Sequence, residues 1–296
     1  MSKINKKPIF TGAATALATP FKEDGIDFSA FGTMVEHQLD AGIDALVVAG
    51  TTGEAATLED SERFALTEWA AEIIRGRVPL IVGVGSNSTK RAVCYAKKAR
   101  EFGANALLAV TPYYNKGTRE GIRRHFLAIA DATSLPVILY NVPSRTGVDL
   151  SVEDYAVLSE HPNIVAVKEA DGNINKLADT RARLGDALTV YAGNDSEIVP
   201  TMALGAKGVI SVVSNISPVS TVRLCHLCLD GNFKEAEKLQ LTLLPLIRLL
   251  FAETNPAPVK CALALSGIYP PHLRLPMAPV SDALAEKIRG ALPFFP

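Results

Sequence analysis

Cysteine is sparse: Cys94, Cys225, Cys228 and Cys261 are the only four in 296 residues. A disulfide framework is therefore excluded, and so little cysteine fits a reducing, cytoplasmic setting. Cys225 and Cys228 form a C-x-x-C, but in "TVRLCHLCLDGNF" they stand at helical spacing with no second ligand pair beside them. They read as two packed helix residues, not a redox or metal pair. Neither charge is in excess: 30 Lys and Arg against 31 Asp and Glu leave a formal net charge of −1. No basic field is present to recruit nucleic acid or an anionic membrane. No apolar run approaches the roughly 18 residues of a membrane span. The basic start, "MSKINKKPIF", has no apolar stretch of signal-peptide length after it. His37, His125, His161, His226 and His272 are scattered and none falls at a strand end. That disfavours metal-dependent chemistry, and His125 and His226 read as packed helix residues. No segment is low-complexity and no long linker divides the chain.

What the chain does have is core-forming residue, 48% hydrophobic against 21% charged, dealt out in a regular series of short apolar runs. They begin at Gly12, Ala45, Pro79, Ala106, Pro136, Ile164, Leu188 and Gly208, with starts 20 to 34 residues apart. That interval leaves room for a helix between successive strands. "EDSERFALTEWAAEIIR" opens with acidic residues and carries apolar positions at helical spacing. "TKRAVCYAKKAREFG" closes in Lys, Arg and a glycine stop, and "TREGIRRHFLAIADAT" follows the next run. The runs are apolar without strict alternation, as in parallel strands buried on both faces. Eight β-α repeats of this size predict an α/β fold, a (β/α)8 TIM barrel. A doubly wound open sheet is the alternative, but "ATPFKEDG" after the first run is not the Gly-rich nucleotide turn such a sheet usually carries. After Asn215 no clear strand remains. The barrel is expected over residues 1–224 and a helical C-terminal appendage over 225–296.

In such a barrel chemistry collects at the C-terminal ends of the strands. Every run here ends in turn or reactive residues, among them "GTTGE", "TPYYN", "YNVPSRTG", "KEADGN" and "GNDSE". Turn-forming Gly and Asn account for much of this. They do not account for Lys168, Tyr140, Arg145 or the Tyr113-Tyr114 pair. "IVAVK" puts a lysine at the end of a core strand, where a charge seldom goes without a partner or a task. Side chains alternate along a strand, so if Ala166 faces the barrel axis, Lys168 does too. Tyr140 holds the matching place on the preceding run, about 4.8 Å away across the sheet. An unperturbed lysine, with pKa about 10.4, is neutral in only about one molecule in a thousand or fewer at pH 7. Desolvation favours the neutral amine, which attacks a carbonyl to form a Schiff base. A neighbouring phenol could then shuttle protons. The plain alternative is an ion pair between Lys168 and Glu169 or another rim carboxylate.

"GTTGE", Gly50 to Glu54, offers backbone N–H groups and two hydroxyls at a strand end, a cradle for a small anion such as a carboxylate. Arg145, five residues past Tyr140, is placed to grip a second carboxylate with its planar fork.

Taken together, "GTTGEAATL", "TPYYN", "YNVPSRTG" and "VAVKEADGN", with "GVISVVSN", "ETNPAPVK" and "LRLPMAP" further on, resemble the motifs of the dihydrodipicolinate synthase family. The resemblance runs in order from about Thr11 to about Pro279. It implies a pyruvate-dependent class I aldolase that needs no metal or other cofactor. By this likeness Lys168 forms the Schiff base with pyruvate, and Tyr140 relays protons. Thr51 links Tyr140 to Tyr114, a residue that relatives receive from a neighbouring subunit. Thr52 holds the pyruvate carboxylate, Gly193 and Ile210 line its pocket through backbone groups, and Arg145 binds the second substrate, L-aspartate 4-semialdehyde. The expected reaction is that of 4-hydroxy-tetrahydrodipicolinate synthases on the diaminopimelate route to lysine, in a homotetramer built as a dimer of dimers. N-acetylneuraminate lyase and 2-keto-3-deoxy-sugar-acid aldolases are the nearest rivals, but they usually lack the arginine of "YNVPSRTG". A non-catalytic keto-acid sensor would be expected to have lost the lysine or the tyrosine.

One departure carries an expectation of its own. Relatives inhibited by lysine bind it at the dimer interface, and Asn87 and Tyr113 match that site. A position often filled there by glutamate is Arg91, and Ala55 and Arg63 replace a small polar residue and a histidine. A like charge at Arg91 should repel the ligand's amine, so feedback by lysine is expected to be weak or absent.

Overall fold

The structure, a computed structural model, describes residues 6–294. The outermost ends of the two expected units, residues 1–5 and 295–296, lie outside the described residues. Eight parallel strands close into a barrel: β1 (Gly12–Ala16), β2 (Ala45–Val48), β3 (Leu80–Gly83), β4 (Ala106–Val110), β5 (Val137–Asn141), β6 (Ile164–Glu169), β7 (Thr189–Ala192) and β8 (Gly208–Ser211). Each pairs with its neighbours in chain order, and β8 closes on β1. Every predicted run became a strand, because each is a short apolar stretch bounded by turn residues.

The helices fall between them as the spacing predicts. They are α1 (Phe28–Asp40), α2 (Asp60–Ile74), α3 (Thr89–Glu101), α4 (Arg119–Asp131), α5 (Val152–Leu158), α6 (Ile174–Leu184), α7 (Ile198–Ala203) and α8 (Pro218–Leu229). At the start of α2 the Glu62 carboxylate accepts from the Glu59 N–H at 3.0 Å, satisfying a donor that the first turn leaves free. Helix α8 runs through the 224/225 position at which the sequence reading divides the chain and packs against β1. Cys225 and Cys228 are buried on it. His125 is a core residue of α4, and burial pulls its imidazole down to about 4. His226 lies on α8 beside Asp44. Among the described residues three α-helices follow, α9 (Phe233–Leu250), α10 (Ala257–Leu265) and α11 (Asp282–Ala291), with α9 packed on α8 and α11 on α10. Among the described residues no helix is long and apolar enough to cross a membrane. A two-stranded ribbon, Phe21–Lys22 with Gly25–Ile26, escapes the sequence reading because two-residue strands leave no periodic signal.

Two cores separate along the alternation of each strand. Val137, Leu139 and Val167 join the layer between barrel and helices, whereas Ile138, Tyr140 and Ala166 join Ala14, Ala45, Ile81 and Ile210 inside the barrel. Phe10 stacks on Tyr191 at 4.3 Å within the inner core, and the Tyr191 hydroxyl donates to the Phe10 carbonyl.

Candidate active site

Strands β5 and β6 are neighbours, and Tyr140 and Lys168 are partners across them. Since Ala166 and Tyr140 belong to the inner core, alternation points Lys168 inward as well. Both side chains are buried, at 7% and 5% exposure, and Lys168 Nζ stands 4.4 Å from the centre of the Tyr140 ring. The pairing of Lys168 with Glu169 is not formed. Glu169, one residue on, faces the helix layer, where its carboxylate accepts the Tyr155 hydroxyl and stands 3.5 Å from Lys176 Nζ.

"GTTGE" forms the turn after β2. Glu54 adopts a left-handed φ of 53° there and is buried. Its carboxylate accepts from Lys260 Nζ at 2.5 Å and from the Arg274 N–H at 3.2 Å. Lys260 is wholly buried and, with Arg274, lies over the Phe21 ring. Burial pulls the Lys260 ammonium down and the Glu54 charge pushes it back up. Glu54→Gln strands that ammonium without its carboxylate, so it should cost about 3–5 kcal/mol in urea unfolding. A loss below about 1 kcal/mol, the worth of an exposed pair, would contradict the assignment.

Thr52 is buried, and its Oγ1 accepts from Asn255 Nδ2 at 3.0 Å, while the Asn255 carbonyl accepts from Arg145 Nη2 at 3.1 Å. Asn255, between α9 and α10, thus ties two predicted substrate-binding residues together, and its own Oδ1 is buried without a partner. Sequence reasoning missed it, and its only signal was its place in "ETNPAPVK". A cavity of about 360 Å3 opens here, with Thr51, Tyr140, Arg145, Tyr113 and Asn255 among its walls. Lys168 lies outside that lining, against the Tyr140 ring. Tyr114 is not brought to the cavity within this chain: it is 88% exposed, with φ 71°.

Gly193 sits just past β7. Its N–H donates to the Glu169 carbonyl at 2.6 Å, and a Cβ would come within 2.6 Å of that oxygen, so only glycine permits the approach. Ile210 is buried on β8, within the inner core. Asp195, also unanticipated, is a fully buried carboxyl that accepts from the Val212 and Val213 N–H groups. Burial pushes it up, against those hydrogen bonds and the Lys168 charge.

The cavity continues past Ala55, Asn87 and Tyr95 to two arginines. Arg91 pairs with Asp60 at 3.1 Å, and the Tyr95 hydroxyl donates to the same carboxylate oxygen at 2.6 Å. Arg63 is buried over the Tyr95 ring and donates to the carbonyls of Gly83 and Ala55.

A closed (β/α)8 barrel with an inward lysine beside a tyrosine, under a rim of hydroxyls and an arginine, defines the class: an aldolase-type enzyme acting on small molecules. The family model described as "Dihydrodipicolinate synthetase family" matches residues 9–293. The chain belongs to that family. It is 46% identical to the 4-hydroxy-tetrahydrodipicolinate synthase of Acetivibrio thermocellus over 97% of this chain and 98% of the relative. It is 47% identical to that of an Exiguobacterium species, over 97% and 98%. Among solved structures, the chloride-inhibited dihydrodipicolinate synthase of Acinetobacter baumannii complexed with pyruvate superposes with a TM-score of 0.94 at 40% identity, covering 96% of this chain and 98% of that one.

Proposed function

We propose that the chain condenses pyruvate with L-aspartate 4-semialdehyde, the reaction of a 4-hydroxy-tetrahydrodipicolinate synthase, through an imine on Lys168. The observation that carries this reading is the buried Lys168 amine against the Tyr140 ring, in a chain of this family. Lys168 Nζ attacks the pyruvate ketone carbon, and the carbinolamine loses water as Tyr140 supplies a proton to the departing hydroxyl. The resulting iminium draws electrons from the methyl carbon, which gives up a proton to leave an enamine. That carbon attacks the aldehyde, and the aldehyde oxygen takes a proton. The substrate's amino group then adds to the imine carbon, expels the lysine amine and closes the ring.

Thr52 and the Thr51 backbone hold the pyruvate carboxylate, with Gly193 and Ile210 offering backbone groups around it. Arg145 takes the carboxylate of the second substrate, and its tie through Asn255 to Thr52 supports a single two-carboxylate site. Thr51 relays protons between Tyr140 and Tyr114. The outward Tyr114 supports its donation to a neighbouring subunit's site, hence a working dimer and a homotetramer made of two. Four free cysteines support a cytoplasmic setting. The chain is read as a barrel unit over residues 1–224 and a helical unit over 225–296. A coupled assay tests the reaction: pyruvate with aspartate semialdehyde should give turnover, and cleavage of sugar acids without that condensation would overturn it.

The same reading makes lysine a poor effector. The crevice beside Tyr113 and Asn87 carries Arg63 and Arg91, whose guanidinium charges oppose the ammonium of a lysine ligand there. Activity in the coupled assay should stay nearly flat as lysine is titrated through the sub-millimolar range. Strong inhibition there would show that the crevice binds lysine regardless.

A further inference from the structure

The residues just after Tyr140 and Lys168 are also partners across the two strands: Asn141 and Glu169. Both are buried, on the opposite face of the barrel wall from the pair. Asn141 Nδ2 donates to Glu169 Oε1 at 2.8 Å. The same oxygen accepts from the backbone N–H groups of Ala170 at 3.1 Å and Asp171 at 3.2 Å. The other accepts the Tyr155 hydroxyl from α5 at 2.5 Å, with Lys176 Nζ of α6 at 3.5 Å. Asn141 is equally engaged: it donates to Asp149 at 2.8 Å, and its Oδ1 accepts from the Leu150 N–H at 3.0 Å. Lys176 also pairs with Asp149 and Asp171.

A carboxylate this deep is costly unless donors converge on it, and an apolar residue would fill the same space without that cost. Burial indeed pushes the Glu169 carboxyl up to about 7. The Lys176 charge and the Tyr155 and Asn141 hydrogen bonds pull it down, and Asp171 pushes it up. What the arrangement provides is a cross-strand tie where the parallel ladder is ending and its rungs would otherwise loosen. We propose that Glu169 is a positioning residue: its bridge to Asn141 sets the depth and direction of the Lys168 amine against the Tyr140 hydroxyl. The proposal rests on the imine reading above and adds a residue to it. Neither Glu169 nor Asn141 lines the cavity; both act through the pair, whose geometry must hold to a fraction of an ångström in the proton-transfer steps.

The test compares Glu169→Ala, Glu169→Gln and Asn141→Ala on folded enzyme. Glu169→Ala should lower kcat about 10–100-fold while the KM for pyruvate moves less than about threefold. Glu169→Gln keeps an acceptor for Asn141 and should recover most of the lost rate. The double Ala variant should be little worse than either single one, because both remove the same bridge. If Glu169→Ala does not fold, Asn141→Ala carries the test. Wild-type kcat in a folded bridge-breaking variant would overturn the proposal, as would a Gln variant no better than Ala. Borohydride trapping of the unmutated enzyme with pyruvate separates the two ideas: no adduct on Lys168 overturns the imine reading, whereas an adduct alongside wild-type kcat in Glu169→Ala overturns the bridge alone.

Discussion

Lys168→Ala should cut pyruvate-dependent turnover by about a thousandfold or more, because the amine is itself a covalent reactant. No other lysine is aligned with Tyr140 across β5 and β6 to replace it. The variant should still fold. Among the described residues Lys168 enters no ion pair; Asp195, the buried carboxyl that feels its charge, keeps its Val212 and Val213 N–H donors, and the surrounding inner core keeps its apolar contacts. Steady-state assay beside a far-ultraviolet circular dichroism melt checks both halves. A folded alanine variant with substantial turnover would place the chemistry elsewhere.

Tyr140→Phe removes a single oxygen and leaves the ring under the amine. Positioned proton transfer contributes about 100- to 10,000-fold, so kcat should fall by about that range while pyruvate binding changes little. The split matters, because a merely structural phenol would disturb binding and stability together. Turnover at the wild-type rate would remove Tyr140 from the relay and leave water or Thr51 in that role.

Both residues were legible in the sequence for the same reason. Strand alternation and neighbour-strand adjacency are local rules, so a lysine two residues after Ala166 and a tyrosine two after Ile138 could be aligned before any fold was known. The eight strands were legible because each is a short apolar run with turn residues at its end. The polar ties that hold the site are different in kind. Glu54 meets Lys260, and Thr52 meets Asn255, across more than two hundred residues of chain. No periodicity announces such pairs. The Glu169 carboxylate was in plain view beside Lys168 and was read as its possible ion partner. Alternation sends it to the other face of the wall, where its partners come from β5, α5 and α6. Arg63 was read through the family's effector site as a replacement for histidine, but only the fold shows it buried, with backbone carbonyls as its acceptors. Tyr114 was assigned to the relay by likeness, and in a single chain it points out to solvent.

The chemistry turns on one nitrogen, Lys168 Nζ, acting as a nucleophile. Incubating the enzyme with pyruvate, reducing with borohydride and mapping the peptides reads that event directly. The expected result is irreversible loss of activity with the pyruvate-derived adduct on the peptide bearing Lys168, and no adduct in Lys168→Ala. Full activity after reduction, or an adduct confined to some other lysine, would contradict it.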